Sequence, residues 1–233
     1  MNCNLPFTID SRMIRFSHST FLVVLLVIIG FLTSACTQHC GPWDINEYIH
    51  NLERPERDEF QKPDEVIQTL NLKQGMVVAD IGAGSGYFTR RFSRAVGPTG
   101  TVIAVDVEQK MLDYNRQHIS DLGPPSHARF ILGKPDDPSL PAGTVDLVFL
   151  CNVYHHLEDT VAYIEKAKTA LAPNGRIVVI DFFHDERSGK LGFSKHHLVP
   201  QERVRKDLHQ AGFNLVREHT FLPRQYFLEF NLR

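Results

Sequence analysis

The chain has 233 residues, and its 25 Lys and Arg against 27 Asp and Glu give a formal charge of −2 at pH 7. The length fits one domain with short additions, and a near-neutral charge without a basic stripe excludes nucleic acid as a partner held by bulk electrostatics. The cysteines have neither the pattern of a disulfide framework nor the paired spacing of a zinc site, so we expect no metal site. They are Cys3, Cys36, Cys40 and Cys151.

Residues 1–36 are typical of a signal peptide or a short membrane anchor. Arg12 and Arg15 precede an apolar run over residues 21–32, which is shorter than the roughly 20 residues that a spanning helix needs. The run ends in Thr-Ser-Ala-Cys, which resembles the lipobox of bacterial lipoproteins, although leucine is more usual than threonine at its first position. The resemblance implies export as a periplasmic lipoprotein, attached to the membrane through a lipidated Cys36. If the signal is misread, the domain faces the cytoplasm.

Residues 37–62 are polar and contain a run of charges from Glu53 to Glu59. This composition favours a solvated linker with a helix. The alternative is an N-terminal helical flap that packs over a ligand site. Pro63 then begins a helix, and residues 73–75 end it before the first predicted strand.

The next stretch, residues 77–87, reads Val-Val-Ala-Asp-Ile-Gly-Ala-Gly-Ser-Gly-Tyr and predicts a strand followed by a helix around a nucleotide-like ligand. Gly82 and Gly84 let the backbone approach a ligand closely, because no Cβ is in the way. The N–H groups that begin the next helix point into the same crevice. A dinucleotide fingerprint would place its third glycine at position 87, whereas Tyr87 stands there and Gly86 comes one residue earlier.

With Asp80 before it, this glycine spacing resembles motif I of the class I S-adenosylmethionine (SAM)-dependent methyltransferases. SAM has a cationic sulfonium and an α-ammonium group but no pyrophosphate. A carboxylate at the end of the first strand suits the ammonium group and would repel a pyrophosphate. The resemblance implies that SAM is the cofactor and that Asp80, Gly82, Gly84 and Gly86 bind it.

The following elements extend this unit to a second strand. Residues 87–96 predict a helix with apolar side chains at every fourth position, and residues 101–106 predict a β-branched strand that ends in an acid. At the tip of this strand Asp106 can accept both ribose hydroxyls of the ligand, with Val107 against the adenine. The alternative role of Asp106 is the N-cap of a helix that starts near Glu108.

The second half of the chain continues the alternation of strands and helices. Strands are predicted over residues 128–132, 145–150 and 176–182, a helix from about 157 to 171, a helix opened by residues 200–202, and two final strands. The alternation predicts an α/β fold with a doubly wound parallel sheet.

Residues 63–182 together resemble a class I methyltransferase core, and their pattern is similar to small-molecule methyltransferases of the ubiquinone/menaquinone type. The resemblance implies a methyltransferase domain over residues 63–233, a Rossmann-like, mostly parallel seven-stranded sheet, and a small-molecule methyl acceptor. Many relatives carry an acid against the adenine amino group where this chain has Lys134. We expect Asp136 or Asp137 to supply that contact; the alternative for both is loop capping.

Acceptor chemistry is expected at the carboxyl ends of the fourth and fifth strands. Asn152, a further candidate for cofactor binding, is followed there by His155 and His156. Methyl transfer is an in-line displacement that depends mainly on positioning, but an acceptor that must lose a proton also needs a base, which either histidine could be. Consecutive side chains are expected to point apart, so at most one faces the substrate. The alternative is a purely structural pair.

Two other functions stay open. SAM is made in the cytosol, so an export signal favours a SAM- or nucleoside-binding module without turnover. A nicotinamide-dependent oxidoreductase is the second alternative, and Tyr87 and Asp80 disfavour it. The residues 152–154, Asn-Val-Tyr, lack the two prolines found in enzymes that methylate exocyclic amines of nucleic acids or protein glutamine, so those acceptors are not expected.

Overall fold

A computed structural model describes residues 44–124, 127–191 and 194–233. The predicted signal segment with its lipobox, residues 1–36, and the beginning of the predicted linker lie outside these residues. Among the residues described, no helix is both long and apolar enough to cross a membrane.

Helices and strands alternate along the described chain. The helices are α1 (Ile45–Leu52), α2 (Glu56–Gln61), α3 (Pro63–Leu70), α4 (Tyr87–Val96), α5 (Gln109–His118), α6 (Thr160–Thr169) and α7 (Gln201–Gln210). The strands are β1 (Val77–Ile81), β2 (Thr101–Asp106), β3 (His127–Leu132), β4 (Val145–Cys151), β5 (Leu171–Phe182), β6 (Phe213–His219) and β7 (Gln225–Leu232).

The strands form one seven-stranded sheet in the order β3-β2-β1-β4-β5-β7-β6. Neighbouring strands are parallel except at β7, which is antiparallel to both β5 and β6. The predicted doubly wound, mostly parallel sheet is therefore confirmed. The strand order reverses between β1 and β4, and ligands of such sheets bind outside the carboxyl ends of the strands at that point.

The central strands β1, β2 and β4 are buried on both faces, as is usual for parallel sheets covered by helices. In β4, Val148 lies in one buried cluster with Ile164 of α6, whereas Phe149 lies in a second cluster with Phe92 of α4. Helices on both faces thus hold the strand ends in fixed positions, which is what a site built on those ends requires.

Three element boundaries differ from the sequence-based expectation. Helix α3 ends before residue 73 because Asn71 adopts a left-handed φ of 48°. Helix α6 begins at Thr160, since residues 154–156 form a 3-10 turn and the side chain of Asp159 caps the helix. Strand β5 begins at Leu171, because its pairing with β4 continues across a bulge.

Candidate functional site

The glycine loop between β1 and α4 has a left-handed backbone that favours glycine. Gly82, Gly84 and Gly86 have φ values of 66°, 54° and 90°. A Cβ on Gly82 would lie 1.9 Å from Cγ2 of Val153, and one on Gly86 would lie 2.3 Å from Oδ1 of Asn115. The loop is therefore wrapped closely by its neighbours, with its backbone at the point where the strand order reverses.

Asp106 reaches across from β2 to this loop. Its Oδ2 accepts the N–H of Gly84 at 2.8 Å, and its Oδ1 accepts the N–H of Glu108 at 2.9 Å. Burial raises the pKa of Asp106, and these backbone hydrogen bonds oppose the shift. The alternative in which Asp106 caps the following helix is wrong, because Glu108 itself caps α5. Two predicted cofactor residues are thus joined directly.

Asp80 is buried below the loop. The hydroxyl of Thr89 donates to its Oδ2 at 2.6 Å, and Nδ2 of Asn115 donates to Oγ1 of Thr89 at 3.0 Å. Burial raises the pKa of Asp80 to about 7, although the hydrogen bond from Thr89 lowers it. The carboxyl group therefore gains or loses its charge near neutral pH.

Residues 44–62, here called the flap, lie over the glycine loop. Cδ1 of Leu52 is 3.2 Å from the position that a Cβ on Gly84 would take. Partial burial, followed by the negative charge of Asp106, raises the pKa of the nearby Tyr48, which keeps 36% of its surface exposed. These are the contacts that the flap alternative requires and that a solvated linker would not make.

The flap is held to α4 by charged and aromatic side chains. The guanidinium groups of Arg57 and Arg91 lie 3.8 and 4.1 Å from the ring centroid of Tyr87, whose hydroxyl donates to Asp58. Beside them, Arg90 on α4 pairs with Glu53 at 2.6 Å, and Arg90 is 7% exposed. Three charged residues of the run in residues 53–59, Glu53, Arg57 and Asp58, thus contact α4.

At the end of the flap, three amide side chains form what we call the amide cluster. Gln61 donates to Oε1 of Gln225 at 2.9 Å, Gln225 donates to Oδ1 of Asn152 at 2.5 Å, and Asn152 donates to Oε1 of Gln61 at 3.3 Å. Gln61 also donates to Sγ of Cys151, and burial raises the pKa of that thiol. Asn152 has a left-handed φ of 58°, a strained conformation of the kind often found at functional sites.

The two predicted catalytic histidines lie in the 3-10 turn after β4. Nδ1 of His155 is 2.8 Å from Oδ1 and 2.9 Å from Oδ2 of Asp181, at the end of β5. The rings of His155 and His156 have centroids 4.1 Å apart, so the expectation that they point apart is wrong, because the tight turn brings them side by side. Partial burial, followed by the neighbouring His155, lowers the pKa of His156 to about 4.

The remaining two predicted residues lie toward β3. Val107 is 51% exposed at the end of β2, beside Leu132, which is also 51% exposed at the end of β3. Asp136 is exposed and pairs with Nζ of Lys166 at 3.0 Å. Asp137 accepts the N–H of Ser139 at 2.7 Å, which is the loop-capping role. The structure brings neither acid to the group formed by Gly84 and Asp106.

Several residues of the site were not predicted from the sequence. Asp181 is an acid near the end of an apolar strand. The same pattern identified Asp106, so Asp181 could have been predicted from the sequence. Gln61 and Gln225 could not, because 164 residues separate these two side chains, which meet only in the folded chain. Among the described residues, no group of three His, Cys, Asp or Glu side chains is arranged to hold a metal ion.

Comparison with known proteins shows which proteins this chain resembles. The family described as "Methyltransferase domain" matches residues 78–175. The ubiquinone/menaquinone biosynthesis C-methyltransferase UbiE of Stutzerimonas stutzeri is 33% identical over 120 residues, which are 50% of this chain and 45% of that protein. UbiE of Pasteurella multocida is 29% identical over 116 residues, which are 50% of this chain and 43% of that protein. The match thus spans less than half the length of these relatives.

Solved structures extend the similarity over more of the chain. A SAM-dependent methyltransferase from Aquifex aeolicus superposes with a TM-score of 0.74 at 26% identity, covering 82% of this chain and 100% of that chain. Magnesium protoporphyrin IX methyltransferase of Synechocystis, solved with bound S-adenosylhomocysteine, gives a TM-score of 0.58 at 19% identity. The superposition covers 75% of this chain and 83% of that chain. The second likeness shows the fold alone. In its glycine loop, its sheet and these relatives, the chain is similar to the class I SAM-dependent methyltransferases.

Proposed function

We propose that this protein transfers the methyl group of SAM to a small-molecule acceptor. The observation that carries the proposal is the hydrogen bond between Asp106 and Gly84 at the reversal of strand order. A carboxylate has about four acceptor sites, so two backbone bonds leave Asp106 able to accept the ribose hydroxyls of a nucleoside. The UbiE relatives, which are named as C-methyltransferases, support the same reaction.

In this proposal the predicted residues contact different parts of SAM. The backbone of Gly82, Gly84 and Gly86 lies along SAM, and Asp80 faces its ammonium group from below. Asp106 holds the ribose, Val107 covers the adenine, and Asn152 is assigned to the methionine end. Asp136 has no part in this proposal, because it pairs with Lys166 away from Gly84 and Asp106. Asp80 fits this role because it is buried. Once ionised, its carboxylate attracts the ammonium group strongly, since little water screens the two charges.

When bound, SAM supplies an electrophilic methyl group on a sulfonium, and the chain supplies positioning. Holding the acceptor in line with that bond can be worth roughly 7–11 kcal/mol of the barrier. The flap covers the loop at Gly84, against which Leu52 packs. Asn152 and His155 stand at the carboxyl end of β4, where an acceptor would enter.

The two alternatives are weaker. A dinucleotide would need a small residue where the ring of Tyr87 lies between two guanidinium groups. A module that only binds SAM would have no use for a histidine held by a buried carboxylate beside the cofactor crevice. Neither alternative accounts for as many of the side chains as methyl transfer does.

Calorimetric titration tests the proposal. SAM and S-adenosylhomocysteine are each expected to bind with one site per chain, and NAD is expected not to bind. S-adenosylhomocysteine should compete with SAM, because a transferase must release it as product. Binding of NAD in preference to SAM would support the oxidoreductase and contradict the proposal.

We also propose that residues 1–36 export the chain and that Cys36 is lipidated, attaching the domain to the membrane from the periplasmic side. The support is the lipobox-like sequence after an apolar run with a positive flank. Intact mass measurement of the membrane-extracted protein should show a chain that begins at Cys36 and carries acyl chains. Cys36→Ser should be neither cleaved nor acylated there, whereas an uncleaved, unmodified wild-type chain would contradict the proposal.

A further inference from the structure

We infer that Asp181 is a positioning residue that makes His155 the proton acceptor of the reaction. The acceptor is then a molecule that must lose a proton as it is methylated, through an O–H or an acidic C–H group. This inference rests on the proposed methyl transfer and names the class of acceptor for it.

The carboxylate of Asp181 is held as an acceptor by the backbone. Oδ1 accepts the N–H of Phe182 at 2.8 Å, and Oδ2 accepts the N–H of His155 at 3.2 Å. Both oxygens also lie within 2.9 Å of Nδ1 of His155. Because both oxygens already receive N–H bonds, the ring nitrogen beside them is the donor and carries the proton.

That arrangement fixes the form of the imidazole ring. With its proton on Nδ1, neutral His155 carries its lone pair on Nε2, the nitrogen that can take up a proton. The side chains of His155 and Asp181 are only 3% and 1% exposed, so the hydrogen bond between them is shielded from water and holds the ring in this orientation. His156 makes no such contact with a carboxylate in the described residues, and its lowered pKa makes it a poor proton acceptor.

The fold explains why these two residues meet. Strands β4 and β5 run parallel and in register at Cys151 and Ile180. Asp181 directly follows Ile180, and the 3-10 turn after Cys151 returns His155 to the same level. The pair therefore lies at the carboxyl edge of the sheet, beside Asn152 and next to the reversal point.

The proton has a defined path in the step. The acceptor oxygen or carbon forms a bond to the methyl carbon, the bond between that carbon and sulfur breaks, and its electron pair goes to sulfur. The proton of the acceptor moves to Nε2 of His155, and water removes it afterwards. An amine acceptor attacks through its lone pair before it loses a proton. For an amine, His155 and Asp181 would therefore have no role in the transfer itself.

Long-range nitrogen–proton NMR spectra of the histidine rings in the full-length protein test the inference without any acceptor. We expect wild-type His155 to carry its proton on Nδ1. Asp181→Asn should move the proton to Nε2, because the amide can donate to Nδ1. Asp207→Asn is the matched control, since Asp207 is equally buried and binds Tyr154 and Thr160; it should lower stability but leave the His155 proton on Nδ1. A wild-type proton on Nε2 would overturn the inference.

The second measurement is methyl transfer to a panel of phenols, hydroquinones and amines. Hydroxylated rings should be methylated, and Asp181→Asn should lower kcat by about 10²-fold while the KM for SAM stays unchanged. Methylation of amines without any hydroxylated ring, or no methylation at all, overturns the acceptor class. A rise in the KM for SAM with unchanged kcat assigns Asp181 to cofactor binding and also overturns the inference. Titration of the same samples with SAM separates these results from failure of the proposed function, which would appear as loss of SAM binding in the wild type.

Discussion

Asp80 shows how one buried carboxyl group can link cofactor binding to pH. Burial raises its pKa to about 7, and the Thr89 hydroxyl limits that rise. A cation placed beside the group favours its charged form. Binding of the SAM ammonium group should therefore draw the Asp80 proton off into solvent at pH values near neutral.

The affinity for SAM should accordingly rise with pH. If only the ionised form of Asp80 binds the ammonium group, affinity should increase about fivefold to tenfold between about pH 6 and pH 7.5. Calorimetry at several pH values measures this, and Asp80→Asn should bind weakly with no such dependence. Asp146→Asn is the control, since that carboxylate binds the N–H of Val77 at the opposite end of β1. A pH-independent affinity in the wild type would show that Asp80 does not contact the ammonium group.

The same raised pKa affects stability in the ligand-free protein. The unfolded chain releases the Asp80 proton near pH 4 and the folded chain near pH 7, so the folded state holds the additional proton between them. The free energy of unfolding should therefore fall as pH rises from about 4 to about 7, by up to about 4 kcal/mol from this group. Denaturant titration of Asp80→Asn should show that this part of the slope is lost. An unchanged slope would mean that Asp80 is ionised throughout.

At the scale of elements, the flap is attached by polar contacts more than by apolar burial. No residue of α1 is buried, whereas Gln61 at the end of α2 is fully buried. Elements held in this way open at lower free energy than the core. The flap is thus the part of the described domain best suited to open for the cofactor and close over it.

Gln61→Ala should loosen the flap. The substitution removes the hydrogen bond that Gln61 donates to Gln225 and the one that it accepts from Asn152. This loss should cost about 1–3 kcal/mol because the partner groups stay buried. Limited proteolysis within the flap should become faster, and S-adenosylhomocysteine should slow it again. Gln210→Ala, at an exposed position of α7, is the control and should match the wild type. Equal cleavage rates for Gln61→Ala and wild type would show that the amide cluster does not hold the flap.

Sequence alone predicts the elements of this site better than their contacts. The glycine loop, Asp80 and Asp106 can be predicted from local sequence, because an apolar run that ends in an acid predicts the end of a strand. The ring contacts of Tyr87 and the amide cluster depend on which distant segments meet, and no local pattern specifies them. The start of β5 was predicted five residues late because a bulge maintains its pairing through a turn-like sequence.

At the scale of the whole molecule, the order of strands decides where chemistry can occur. The reversal between β1 and β4 brings the glycine loop, Asp106 and the 3-10 turn with its histidines to the same edge. The alternation of strands and helices in the sequence was sufficient to predict this architecture. The long antiparallel β7 also contributes to the site, because Gln225 at its first position completes the amide cluster.

The central claim is that the glycine loop binds SAM, and the most direct measurement is calorimetric titration of SAM into Gly84→Val. The new side chain would meet Leu52 and the ligand, so affinity should fall at least tenfold, while thermal unfolding of the variant shows that it folds. Gly143→Val is the matched control: Gly143 also has a positive φ, of 69°, but no atom lies within 4 Å of its added Cβ. It should therefore carry the same backbone strain and bind SAM normally. Wild-type affinity in folded Gly84→Val would contradict the account.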